Sequence, residues 1–271
     1  MVWNIEKKTH LEVDGYSLEA RCLGPAPDDS STIVLLHEGL GCVAMWREFP
    51  ELLQQVTGLG VFAYSRRGYG GSDPWPLPWP LDYMTIEAKE ILPKILDQMG
   101  IKGAWLVGHS DGASIAAIYA GLYSEDQRLK GLGLIAPHFF TEEMGQKSIA
   151  QAKVAYETSS LREKLTSYHR HVDNAFYGWN NSWLDPEFEE NWNIEAYLPA
   201  IKVPVLAIQG KQDQYGTIKQ TDALEKGLGS RLHRIMLDDC RHSPHIDQTR
   251  KTIDLITNFI KSLTIKMLPP L

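Results

Sequence analysis

One stretch limits what this chain can become: Leu106-Val107-Gly108-His109-Ser110-Asp111-Gly112, followed by Ala113-Ser114-Ile115-Ala116-Ala117. A short apolar run enters a G-x-S-x-G pentad, and a helix-forming run of small residues leaves it. That layout predicts a nucleophile elbow, a sharp and strained strand-to-helix turn that lifts one serine hydroxyl above a sheet edge. Glycine is needed on both sides because the turn presses strand backbone against helix backbone, where a β-carbon would collide. Ser110 would stand at the helix N-terminus, where unpaired N–H groups favour developing negative charge. Taken alone, the pentad is also compatible with a plain turn. Whether it carries chemistry depends on partners elsewhere in the chain.

A serine nucleophile needs a base, and a histidine base needs a carboxylate to fix its tautomer and stabilise its imidazolium. Val203 to Ile208 reads as a buried strand and runs into Gln209-Gly210-Lys211-Gln212-Asp213, which places a carboxylate just past a strand end. A second apolar run, Ile235 to Leu237 at the end of a strand expected over His233–Leu237, leads into Asp238-Asp239-Cys240-Arg241-His242-Ser243-Pro244-His245, a loop that opens the last helix. The order is Ser110, Asp213, His242. Asp238 and Asp239 lie nearer to His242 in sequence, but a carboxylate at an adjacent strand end meets the imidazole Nδ1 more readily. His245 is a rival base three residues away, and His109, inside the pentad, is read as a packing partner.

Four motifs in this order resemble the α/β-hydrolase superfamily: His37-Glu38-Gly39-Leu40-Gly41 after a strand, Ser65-Arg66-Arg67-Gly68-Tyr69-Gly70-Gly71-Ser72-Asp73, the elbow, and the Asp213 and His242 loops. The chain is similar to small single-domain hydrolases such as enol-lactonases, meta-cleavage C–C hydrolases and simple carboxylesterases. The resemblance implies an α/β fold with a mostly parallel eight-stranded sheet flanked by helices. It implies a core domain of residues 1–138 and 199–271 and a small helical cap of residues 139–198. It also implies that Ser110, Asp213 and His242 are catalytic, with the N–H groups of Gly39 and Asp111 as the oxyanion hole. Many relatives carry His-Gly-x-Pro where this chain has His37-Glu38-Gly39-Leu40, so Glu38 and Leu40 are departures.

Composition narrows the function classes. A hydrophobic content of 43% over 271 residues is enough for a large core. A formal net charge of −7 argues against a phosphate-binding surface and so against nucleic acid as a partner. Residues 1–8 lack the apolar core of a signal peptide, and no run of about 18 apolar residues exists, which predicts no membrane partner. Cys22, Cys42 and Cys240 are an odd, sparse set that suits a reducing cytoplasm, with Cys42 a buried spectator thiol.

Along the chain, Leu11–Asp14 and Ser17–Cys22 predict an opening hairpin around Gly15. Ile33 to Leu36 predicts a strand covered on both faces. A helix is expected from Met45 to Leu53, a strand over Val61–Tyr64, and a structural, non-phosphate role for the Ser65–Asp73 loop. The run Pro74-Trp75-Pro76-Leu77-Pro78-Trp79-Pro80 reads as a surface excursion without regular structure. Thr85 is a candidate cap for a helix carrying Ile91, Leu92, Ile95, Leu96 and Met99, in which Pro93 demands a kink or a late start. Leu132–Ala136 is a strand, Thr217–Gly227 a short helix, Ile246–Leu263 the closing helix and residues 267–271 a loose tail. Within the cap, Tyr156, Phe176, Trp179, Trp183, Phe188 and Trp192 are expected mainly to pack it on the body and in part to shape an apolar pocket. The cluster Tyr168-His169-Arg170-His171 reads as solvated surface, not as a metal site.

The expected activity is hydrolysis of a small carboxylic ester or lactone through an acyl-enzyme, without metal or organic cofactor. Two alternatives stay open: a C–C hydrolase of a vinylogous diketone, for which Arg47 or Arg162 would hold a substrate carboxylate, and a non-catalytic ligand-binding relative. Substrate identity and oligomeric state are not legible.

Overall fold

The computed structural model describes Trp3, residues 9–28 and residues 30–267. The expectations for the rest of residues 1–8 and for 268–271 lie outside the described residues. Eight strands form one sheet: β1 (Thr9–Val13), β2 (Tyr16–Leu23), β3 (Thr32–Leu36), β4 (Gly60–Tyr64), β5 (Ala104–His109), β6 (Leu129–Ile135), β7 (Val205–Gly210) and β8 (Leu232–Leu237). Their order is β1-β2-β4-β3-β5-β6-β7-β8. β1 pairs with β2 and β2 with β4 antiparallel, and every later pairing is parallel. The uninterrupted apolar runs of β3, β4, β5 and β7 follow from this, since strands in the parallel region are covered on both faces.

The helices are α1 (Phe49–Thr57), α2 (Tyr83–Ile86), α3 (Leu92–Gln98), α4 (Asp111–Leu122), α5 (Glu143–Thr158), α6 (Leu161–Thr166), α7 (Val172–Trp183), α8 (Pro186–Asn191), α9 (Ile218–Leu228), α10 (Pro244–Asp247) and α11 (Thr249–Met267). On one face of the sheet, Leu106, Leu132 and Leu134 pack with Ile115 and Ile118 of α4. On the other, Ile33, Val107 and Ile208 pack with Leu53 of α1 and with Ile256 and Ile260 of α11. Between β6 and β7 the strand-helix alternation stops, and α5 to α8 with a 3₁₀ segment (Glu195–Ala200) form a helical insertion. Its centre is aromatic: the Tyr156 and Phe176 rings stack at 3.7 Å, and Trp183, Phe188 and Trp192 form a second cluster.

Several elements differ from expectation for physical reasons. The Met45–Leu53 helix is two pieces, a 3₁₀ turn (Val43–Trp46) and α1, separated at Arg47, whose φ of 53° no helix tolerates. Thr85 is not a cap, because the helix begins at Tyr83 and Thr85 sits in its first turn. Pro93 is accommodated by a π-helical turn (Glu87–Ile91) that places it in the first turn of α3, where its missing N–H costs nothing. The closing helix breaks at Gln248 into α10 and α11. In the proline-rich run Trp79 is buried, with its indole against Gly178 of α7, so that stretch docks on the insertion instead of making a purely surface excursion. His169 is buried as well, which corrects the solvated reading for that residue, while Tyr168 and Arg170 are exposed as expected.

Candidate active site

Every predicted feature of the elbow is present in the backbone. β5 ends at His109, α4 begins at Asp111, and Ser110 between them has φ 52° and ψ −118°. A non-glycine residue at such a φ is strained, and strain of this kind collects at functional sites. A β-carbon on Gly108 would lie 2.2 Å from the Gly112 carbonyl oxygen, and one on Gly112 would lie 1.9 Å from that of Leu36. Both contacts are impossible, so both glycines are required for the helix to approach the sheet closely enough to aim Ser110. The Ser110 N–H donates to Ile135 O at 2.9 Å, which fixes the turn to β6.

His242 lies in the loop between β8 and α10, and Asp213 lies just past β7. The His242 Nδ1–H donates to both oxygens of Asp213, at 2.9 and 3.0 Å. With the Nδ1 proton held there, the neutral ring presents Nε2 as an acceptor. Asp213 also accepts the Tyr215 N–H at 2.9 Å. Burial works to raise the Asp213 pKa, but the charge and hydrogen bond of His242 outweigh it and bring it down to about 2. Asp238 pairs instead with Lys211 at 2.6 Å, clear of the imidazole. Ser110 and His242 line one cavity, although no hydrogen bond joins them among the described residues.

The two remaining histidines have other partners. His245 packs against Trp46, Phe49 and His109, and burial lowers its pKa to about 3. His109 bridges two loops, with Nδ1 3.3 Å from the Glu38 carboxylate and Nε2 2.8 Å from the carbonyl of His242. It is thus more than a packing partner, because it connects the loop carrying Glu38 to the loop carrying His242.

Gly39 and Asp111 both face the cavity. Asp111 occupies the first turn of α4, where N–H groups have no intrahelical acceptor. The Gly39 loop is pinned from behind. The Arg66 guanidinium donates to the carbonyls of His37 and, at 3.0 Å, Glu38, while the Arg66 N–H donates to His37 Nε2 at 3.0 Å. Ser65, Ser72 and Asp73 tie further backbone, so the glycine-rich loop is structural, as expected. Sequence reasoning missed the Asp111 carboxyl. It is buried, accepts the Tyr83 hydroxyl at 2.5 Å and lies 4.0 Å from Arg66. Burial raises its pKa despite those partners.

The cavity has a volume of about 260 Å³. Besides the residues above, the insertion contributes Glu142, Gly145, Gln146, Ile149, Trp179 and Trp183, and the core contributes Leu40, His138, Gln214 and Tyr215. The aromatic richness of the insertion was the available signal for its walls, but nothing in the sequence singled out Trp179 and Trp183 from their neighbours. Burial lowers the His138 pKa to about 3. Arg162 pairs with Asp173 on the exterior, and neither it nor Arg47 lines the cavity. Cys42 is fully buried, with burial pushing its thiol up to about 12. The other two cysteines are also buried, and no disulfide joins any of the three. Among the described residues no cluster of His, Cys, Asp and Glu is arranged to hold a metal ion, the Tyr168–His171 stretch included, and no helix is long and apolar enough to cross a membrane.

Residues 31–151, from β3 through the elbow into the insertion, match the family described as the alpha/beta hydrolase fold. The chain has the α/β-hydrolase fold. Among its relatives, the monoacylglycerol lipase ABHD6 of Bos taurus is 26% identical over 189 residues, covering 58% of this chain and 55% of the relative. The match thus spans only about half the length of that lipase. The 3-oxoadipate enol-lactonase 1 of Acinetobacter baylyi is 22% identical over 272 residues, covering 92% of this chain and 95% of the relative. The crystal structure of the enol-lactonase from Burkholderia xenovorans LB400 superposes with a TM-score of 0.73 at 20% identity, covering 93% of this chain and all of that one, and shares its fold.

Proposed function

We propose that the protein is a serine hydrolase that cleaves a small carboxylic ester or lactone through an acyl-enzyme. The observation that carries this reading is the bifurcated Asp213–His242 hydrogen bond in a cavity that also holds Ser110, strained at φ 52° on a helix N-terminus. Ser110 Oγ attacks the carbonyl carbon while His242 Nε2 takes its proton, and Asp213 stabilises the imidazolium. The N–H groups of Gly39 and Asp111 receive the oxyanion, a contribution of about 3 kcal/mol per donor in enzymes of this kind. His242 then protonates the leaving alkoxide, and a water deprotonated by the same ring hydrolyses the acyl-enzyme, returning Ser110 and releasing the acid. Matches to an enol-lactonase and a monoacylglycerol lipase, each named for an ester or ester-like substrate, support the same chemistry. The helical insertion serves as a cap, closing the cavity with Trp179 and Trp183. The diketone alternative has no support from Arg47 or Arg162, since neither reaches the cavity.

The test is p-nitrophenol release from short-chain acyl esters by the wild type and by Ser110→Ala, with intact mass after treatment with a serine-directed phosphonate. Turnover lost in the variant and one adduct confined to Ser110 is the expected result. Equal turnover in both proteins, or an adduct elsewhere, would refute the assignment.

A further inference from the structure

We infer that the cavity selects its substrate by charge, accepting esters and lactones whose two portions are uncharged or cationic and discriminating against those that carry a carboxylate. This deepens the serine-hydrolase reading and rests on it. The lining residues include Glu38 beside the Gly39 loop, Glu142 just before α5 and Asp111, whose carboxyl is taken up by the Tyr83 hydroxyl beside Arg66, and neither a lysine nor an arginine. Glu142 is held by Thr217 N at 2.9 Å, Thr217 Oγ1 at 2.5 Å and Gln220 Nε2 at 2.8 Å, all uncharged donors. Glu38 is one-fifth exposed, with its carboxylate 3.3 Å from His109 Nδ1. Its burial is outweighed by that hydrogen bond and by the neighbouring imidazoles, which hold its carboxyl well below the usual range.

No counter-charge waits for an anion. The Arg66 guanidinium behind the Gly39 loop is committed to the His37 and Glu38 carbonyls and faces Asp111. His138 stays neutral because it is buried. Asp213, which holds His242 Nδ1, is a further carboxylate next to a lining residue. The rest of the wall combines Leu40, Ile149, Trp179, Trp183 and Tyr215 with the uncharged side chains of Gln146, Gln214 and Ser243. A carboxylate entering this space would lose its hydration among like charges. An ammonium group would meet the Glu38 and Glu142 carboxylates and three aromatic side chains in the same lining. Even with the screening expected at an effective dielectric constant near 20, unit charges a few ångströms apart shift a rate constant by at least about tenfold.

The experiment compares three p-nitrophenyl esters of matched length: hexanoate, the mono-ester of adipic acid, and 6-aminohexanoate. The ratio of kcat/KM values is read for wild type, Glu38→Gln and Glu142→Gln at low and high salt. Because the readout is a ratio within each protein, a general loss of activity in a variant does not confuse it. The proposal expects the adipate mono-ester to be at least about tenfold poorer than the hexanoate, a narrowing of that gap by several-fold in each variant, and a further narrowing at high salt. An adipate mono-ester as good as the hexanoate overturns it, as does a gap that neither variant nor salt changes, since shape alone would then be its cause. Binding of the corresponding amides, followed by tryptophan fluorescence, gives the same order independently of turnover. Amides ranked by charge with no ester turned over would retain the charge rule and refute acyl transfer.

Discussion

Asp213 accepts the Nδ1–H of His242 with both oxygens, and that single contact decides which imidazole nitrogen is left for Ser110. Replacing Asp213 with Asn turns an amide N–H toward Nδ1 and forces the other tautomer, which donates where it should accept. Asp213→Asn is expected to lower kcat on the p-nitrophenyl esters by about 10³- to 10⁴-fold, with KM and the circular-dichroism spectrum nearly unchanged. A loss under tenfold would show that another group orients the base. At this scale the pairing was legible, because a carboxylate past a strand end and a histidine in the next such loop are topological facts written in sequence order. The Asp111 carboxyl was not. Its partners, Tyr83 and Arg66, lie 28 and 45 positions upstream, and no spacing rule connects residues brought together only by the sheet.

The elements show where local pattern suffices. Apolar runs located β3, β4, β5 and β7 within a few residues, because a strand covered on both faces must be apolar throughout, while β1 and β2 were legible as a hairpin around Gly15. Helix boundaries were less legible. The break at Arg47 and the π-turn before Pro93 answer to packing and not to periodicity. His169 shows the same limit: it looks like a surface histidine, yet it accepts Gly70 N–H at 3.0 Å and contacts Leu40 O at 3.0 Å, joining the insertion to two core loops. Within the insertion, α5 and α7 meet through the stacked Tyr156 and Phe176 rings, both buried. Phe176→Ala is expected to cost about 3–5 kcal/mol, read as a fall in the urea midpoint. A change below about 1 kcal/mol would mean that the helices repack around the gap.

For the whole molecule, four buried imidazoles set the response to acid. His37, His138, His169 and His245 all have lowered pKa values, chiefly through burial, with His138 and His245 at about 3. In His37 and His169 one ring nitrogen accepts a backbone N–H, a bond that only the uncharged ring can make. An unfolded histidine takes up its proton near pH 6.5, whereas these do so only at lower pH, so the unfolded state binds more protons. Stability should therefore be constant above about pH 7 and fall as pH drops below about 6.5, by up to about 1.4 kcal/mol per pH unit for each histidine. Asp213, lowered to about 2, extends the loss at still lower pH. Urea midpoints at pH 7.5, 6 and 5 check this, and a midpoint unchanged between pH 7.5 and 5 would contradict it.

Trp79 of the proline-rich run sits where a β-carbon on Gly178 would come within 2.1 Å of its ring, and Trp75 exchanges two hydrogen bonds with Asn174 on the same helix. Two stretches about a hundred positions apart in sequence therefore pack as one piece. A chimera that borrows α7 from a relative, with any larger side chain at position 178, evicts the indole from its seat. Loop and insertion must be exchanged together, and a search for recombination points in this chain should treat residues 74–80 as belonging to the insertion they touch and not to the strands they follow.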